Sequence, residues 1–121
     1  ADENNNSVVC LLEYGKARML FAGDLQEAGE QALLARKADL RADVLKVGHH
    51  GSHTGTSEAF LQAVHPRWAV VSCSGNLSSG FPHEEVLARL RDHGAQILRT
   101  DVSGQVRLTT YGGEWKVGTF R

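Results

Sequence analysis

Residues 43–57 read DVLKVGHHGSHTGTS, and the fold turns on how this stretch is divided. DVLKV has the short apolar run of a strand buried in a sheet interior. From Gly48 the character changes, with His49, His50 and His53 set among glycine, serine and threonine. Neutral imidazole and carboxylate are the donors that divalent transition metals take together, and Gly51 removes bulk beside the histidines. Adjacent residues of an extended loop project to opposite sides, so His49 and His50 divide the work: one ligates, and the other supports the ligand or meets substrate. His53 reads as a loop histidine, because Gly51 forbids the regular helix that an HxxH ligand pair wants. Ser52 and the amides around Gly51, on the way into a helix at Ser57, are suited to phosphate oxygens.

Working outward, SVVCLLEY (7–14) and RMLFA (18–22) are apolar runs parted by Gly15 and Lys16, the pattern of a hairpin. Gly23 and Asp24 break the second strand. LQEAGEQALLARK then sets Leu25, Ala28, Ala32 and Leu33 at helical spacing, with Glu27 and Glu30 early and Arg36 and Lys37 late, as a helix dipole prefers. Beyond the histidines, SEAFLQAV (57–64) is a helix with Thr56 or Ser57 as N-cap, ended near His65 and Pro66. WAVVSC (68–73) is a strand. HEEVLARLRDHG carries Val86, Leu87 and Leu90 on one face and Gly94 as C-cap, which leaves His65 and His93 as helix-end histidines. QILRT, QVRLTT and EWKVGTF close the chain as strands. Strands alternating with helices in the middle imply parallel pairing, and the ends imply antiparallel additions, giving a mixed sheet in an α/β layer. Asp24, His49, His50, Ser72 and Ser74 then all follow strands, at the carboxyl edge where α/β proteins build sites. There Asp24 supplies an oxygen ligand able to bridge two ions about 3.5–4 Å apart.

Composition narrows the function classes. The 121 residues fit a single soluble domain, with 41% hydrophobic and 22% charged residues and no low-complexity tract. No run approaches the roughly 20 apolar residues of a membrane span, and no signal segment opens the chain. A net charge of −1 supplies no broad basic footprint for nucleic acid, so phosphate contact is local. Cys10 and Cys73 lie in apolar runs without a CxxC pair and read as buried free thiols. The polar opening ADENNNS, with Met19 the one methionine, gives the chain the look of a fragment.

The joint order of these pieces resembles the C-terminal part of the metallo-β-lactamase superfamily, and most closely the ComEC family of DNA-uptake proteins. The resemblance runs from Asn4 to about Val106 and is carried by NNNSVVCLLEYG, MLFAGDL, DVLKVGHHGSHTGTS with EAFLQAV, and GFPHEEVLARL through RTDVSGQV. It implies the C-terminal half of an αββα sandwich, in a metal-dependent hydrolase domain thought in that family to act as a nuclease on the DNA strand that is not imported. By position, Asp24 and His50 resemble metal ligands, with zinc or manganese in a two-metal site. His49 and His83 are similar to the family's catalytic histidines, and Asn5, Asn6, Ser7 and Ser52 to substrate-lining residues. The resemblance also implies a membrane-protein parent, with this part soluble, and it favours the extracytoplasmic side without fixing it.

Two departures stand out. The family's GHPHP-like string reads GFPHE here, with Phe81 at the first histidine and Glu84 at the second proline. The superfamily's HxHxDH motif has no counterpart among these residues, so Asp24 and His50 offer two ligands where a catalytic zinc takes three. The chain alone is therefore expected to be inactive and to be completed by the missing N-terminal half of the domain. A half sandwich also predicts an uncovered sheet face, and hence a homodimer through it. Two other readings compete: a non-catalytic α/β module binding an anion or a protein through strand-end amides, Ser52 and Thr54, and a phosphoesterase of the same superfamily with a small substrate.

Overall fold

The computed structural model describes residues 9–23, 27–37, 39–47, 56–71, 84–100 and 105–120. Strand β1 (Cys10–Tyr14) turns at Gly15 into β2 (Ala17–Phe21), followed by helix α1 (Glu27–Ala35), β3 (Val44–Lys46), α2 (Glu58–Val64) and β4 (Trp68–Val71). Helix α3 (Glu84–Asp92), β5 (Gln96–Arg99), β6 (Gln105–Thr110) and β7 (Trp115–Phe120) complete the chain. This is the element order that the apolar periodicities predict.

Five strands form one mixed sheet in the order β1-β2-β3-β4-β5. β1 is antiparallel to β2, and β2, β3, β4 and β5 run parallel. The last two strands differ from expectation. They do not extend this sheet but pair with each other as a separate antiparallel hairpin, Gln105 opposite Phe120 and Thr110 opposite Trp115.

Period-2 alternation explains how the sheet is sandwiched. Leu20, Leu45, Ala69 and Ile97 pair in succession across the four parallel strands. They share a cluster with Phe60, Leu61 and Val64 of α2 and with Val86, Leu87 and Leu90 of α3. Phe60 and Leu61 are all but fully buried, each contributing on the order of 2–3 kcal/mol by removal from water. The alternate residues Met19, Val44, Val70 and Leu98 bury the opposite face under Val106, Leu108, Trp115 and Val117 of the hairpin. The layers are thus helix, five-stranded sheet and two-stranded sheet, an α/β arrangement consistent with part of an αββα sandwich.

This hairpin removes the premise of a dimer through a bare sheet face, because residues expected to be uncovered are buried. Among the described residues the exposed large apolar side chains lie instead on the edge strand and its neighbour, with Leu12 at 55% and Tyr14 at 59%, and Leu11 and Phe21 lesser, together with Tyr111 between β6 and β7. Cys10 sits on the edge strand too and is an exposed free thiol, not a buried one. Its run is apolar, yet as an edge strand β1 has sheet on one side only. Cys73 lies outside the described residues.

Helix ends follow the local chemistry. Ser57 caps α2, its Oγ accepting from the Phe60 amide at 3.2 Å, and His65 closes the helix in the left-handed conformation with its amide on the Leu61 carbonyl at 2.7 Å. Glu84, where the family string has proline, opens α3 as an acidic first-turn residue and accepts from Arg91 at 3.2 Å. In α1 the burial departs from the stripe that spacing suggested at Ala32, while that of Leu25 and Ala28 is not described. Ala32 is exposed, whereas Gly29 and Glu30 are buried and Leu33 and Leu34 are half-buried.

Asp43 knots the amino edge of the sheet. Its Oδ2 accepts from the Arg18 amide and from the Trp115 indole Nε1, each at 3.1 Å, so the hairpin is tied to the sheet across 72 positions of sequence. Arg18 braces the same corner, donating to the carbonyls of Arg41 at 2.6 Å and Asp39 at 3.0 Å.

Candidate functional site at the carboxyl edge of the parallel strands

Register decides where the site residues leave the sheet. Phe21 pairs with Lys46, Lys46 with Val70, and Val71 with Arg99, so the parallel strands end at a common edge. Two further bonds prolong that alignment: the Ala22 amide donates to the Lys46 carbonyl at 3.2 Å, and the Val47 amide to the Val70 carbonyl at 2.9 Å. Gly23 follows with φ of 61°, the left-handed conformation that glycine adopts without cost. The next position in sequence is Asp24. Val47, fully buried, is followed by Gly48, His49 and His50, and Val71 by Ser72.

Asp24, His49, His50, Ser52 and His83, with Asn5, Asn6 and Ser7, lie outside the described residues. The structure fixes the points from which these segments depart and to which they return: α1 from Glu27, α2 from Thr56 and Ser57, and α3 from Glu84. Among the described residues there is no group of three His, Cys, Asp or Glu side chains able to hold a metal.

One return point is built in a way the sequence reading missed. Glu30 of α1 is 1% exposed, and its carboxylate accepts from two consecutive amides, Thr56 N–H through Oε2 and Ser57 N–H through Oε1, the latter at 2.9 Å. Arg89 of α3 donates to the Thr56 carbonyl at 2.8 Å. Thr56 itself is 2% exposed and has φ of 60°, an outlier for a β-branched residue. The amides of Thr56 and Ser57, at the start of α2, are thus occupied by a side chain of the protein itself, while the amides around Gly51 and Ser52, expected to suit phosphate oxygens, lie outside the described residues. A signal for this was present: Glu30 falls three and four residues before Leu33 and Leu34, and a carboxylate on a helix's buried stripe needs dedicated partners.

The metallo-beta-lactamase superfamily matches residues 2–75, well over half of the chain. The chain belongs to the metallo-beta-lactamase superfamily. That match contains Asp24, His49, His50 and Ser52, while His83, α3 and the β6–β7 hairpin lie beyond it. Relatives of the ComEC family, which the motifs resemble, extend over the rest. The chain is 40% identical over 120 residues, 99% of its length, to "ComE operon protein 3" of Bacillus subtilis. It is 41% identical over 107 residues, 88% of its length, to "Competence protein ComA" of Neisseria gonorrhoeae. With "Recombination protein 2" of Haemophilus influenzae it shares 40% identity over 109 residues, 90% of its length. It spans only 15%, 16% and 14% of these three relatives. Among the described residues of this superfamily member no helix is long and apolar enough to cross a membrane.

Proposed function

We propose that this chain carries part of a divalent-metal hydrolase site that cleaves DNA phosphodiesters during DNA uptake. The observation that supports it is the register of β2, β3 and β4, whose ends bring the positions just before Asp24, His49–His50 and Ser72 to one sheet edge. Competence and recombination proteins among its relatives support the setting.

Asp24 and His50 would hold the metal, zinc or manganese, since a carboxylate oxygen and an imidazole nitrogen are donors that fit either ion. Bound there, such an ion supplies Lewis-acid activation of water and of the phosphodiester. His49 and His83 would handle protons or meet the phosphate, and Ser52, Asn5, Asn6 and Ser7 would line the substrate. Two donors fall short of the three that a catalytic zinc takes, so the rest come from a completing N-terminal half of the domain. The parent would hold this part outside the membrane, on the extracytoplasmic side, with DNA as a transient partner.

Calorimetric titration of Mn²⁺ and Zn²⁺ into the purified chain, beside Asp24→Ala and His50→Ala, tests the proposal. Binding abolished in both variants is expected. No binding to the unsubstituted chain, or binding indifferent to both substitutions, would leave only the fold and overturn the metal reading.

A further inference from the structure

We propose that Glu30 and Arg89 are positioning residues for segment 48–55: together they fix the backbone at which the histidine-bearing stretch enters α2. The inference rests on the reading of His49, His50 and Ser52 as site residues, and it assigns a role to two side chains outside that set.

The backbone at Thr56 is held at three groups in two successive peptides. Glu30 takes the amides on both sides of the Thr56 carbonyl, and Arg89 takes that carbonyl. Bonds in which one partner is ionised are roughly twice as strong as neutral ones, so the clamp can keep a β-branched residue in the left-handed conformation. The carboxylate serves both stability and direction, because an apolar residue at 30 would leave the amides of Thr56 and Ser57 without a partner. What an apolar residue cannot do is set the direction of two successive amides. The three elements involved are also those that follow the candidate segments: α1 follows Asp24, α2 follows His49 to Ser52, and α3 follows His83. Thr56 is thus the described point at which one candidate segment meets the elements that follow the other two.

The test uses the whole chain with Glu30→Ala, Glu30→Gln, Arg89→Ala and Arg89→Lys, and with Leu98→Ala as a control that damages packing on the opposite sheet face. Mn²⁺ affinity is measured by calorimetry and stability by urea unfolding. Losing a group that hydrogen-bonds a ligand itself costs about tenfold to a hundredfold in metal affinity, and Glu30 and Arg89, which hold backbone near the ligand, are expected to reach the lower end, about tenfold. Glu30→Ala and Arg89→Ala are expected to show that loss, Glu30→Gln and Arg89→Lys to recover part of it, and Leu98→Ala to stay within about twofold of the parent. Equal affinity in folded Glu30→Ala and in the parent overturns the proposal, as does an equal loss in Leu98→Ala. Should Glu30→Ala fail to fold, the Gln and Lys variants carry the comparison. A second readout is independent of metal: cleavage within 48–55 by a low level of protease is expected to accelerate about tenfold in Glu30→Gln and Arg89→Ala relative to the parent and to Leu98→Ala. If the parent binds no metal, the function proposed above fails while this cleavage ratio still decides the clamp, and an unchanged ratio sinks it.

Discussion

Replacing Asp43 by alanine should loosen the β6–β7 hairpin from the main sheet, and the loss can be worked out bond by bond. Oδ2 accepts from the Arg18 amide and the Trp115 indole at 3.1 Å, and Oδ1 from Arg41 at 3.4 Å. A hydrogen bond to a charged group contributes about 1.5–3 kcal/mol, and the Asp43 side chain is 21% exposed, which admits some replacement by water and selects the lower end. Two such bonds give about 3 kcal/mol. The Arg41 pair adds about 0.5 kcal/mol at most, because the Arg41 side chain is 53% exposed. With a urea dependence of about 1.5–2 kcal/mol per molar for a domain of this size, the unfolding midpoint falls by about 1.5–2 M. Far-UV circular dichroism reads it without relying on either tryptophan. Trp115→Phe keeps the ring against Met19, Val44, Val70 and Leu98 but removes the N–H, so a double-mutant cycle isolates the indole bond, with a coupling of about 1–1.5 kcal/mol. Strict additivity, or a loss under about 1 kcal/mol in Asp43→Ala, would refute the view that this carboxylate holds the two sheets together.

Two glycines and one cysteine provide further checks. In Gly15→Ala the added Cβ would meet the Gly112 carbonyl oxygen at 2.7 Å, at a φ of +60°, so a stability loss of about 1–3 kcal/mol is expected by urea unfolding. Gly113→Ala, with open space around the new Cβ, should change stability by under about 1 kcal/mol, in the stabilising direction if the lost chain entropy dominates. Titration of the native chain with a thiol reagent should lose one fast-reacting equivalent in Cys10→Ser, since Cys10 is exposed on the edge strand; an unchanged count would contradict that placement.

Most of the architecture was legible because period and punctuation agreed. The pair Gly15–Lys16 between two apolar runs, Val86, Leu87 and Leu90 on one face of α3, and Ser57 ahead of EAFLQAV each had one local solution, and each formed. What was missed depended on partners distant in sequence. Strand periodicity cannot tell whether β6 and β7 join the main sheet or fold across its face. That choice is made by the apolar side chains of Trp115, Val117 and Leu108 meeting Met19, Val44 and Leu98. Burial of Glu30 was likewise hidden by its plausibility as an early-turn acid, although its place beside Leu33 and Leu34 hinted otherwise. The candidate site itself was legible as chemistry, a histidine-rich stretch after a buried strand, and the register of the parallel strands is what gives its approaches a common edge.

The parallel order of β2 to β5 also bears on how the molecule assembles. Met19 meets Val44, Val44 meets Trp68, and Trp68 meets Gln96, so every pairing of the five-stranded sheet after its first hairpin waits for an intervening helix to form and swing back. Such topologies pay loop-closure entropy before any contact rewards it, and they fold more slowly than hairpins or bundles of similar size. The Asp43–Trp115 bond, spanning 72 positions, belongs to the last of these events. A nascent chain would therefore expose the hairpin face of its growing sheet until β6 and β7 emerge, the interval in which association between copies is hardest to avoid.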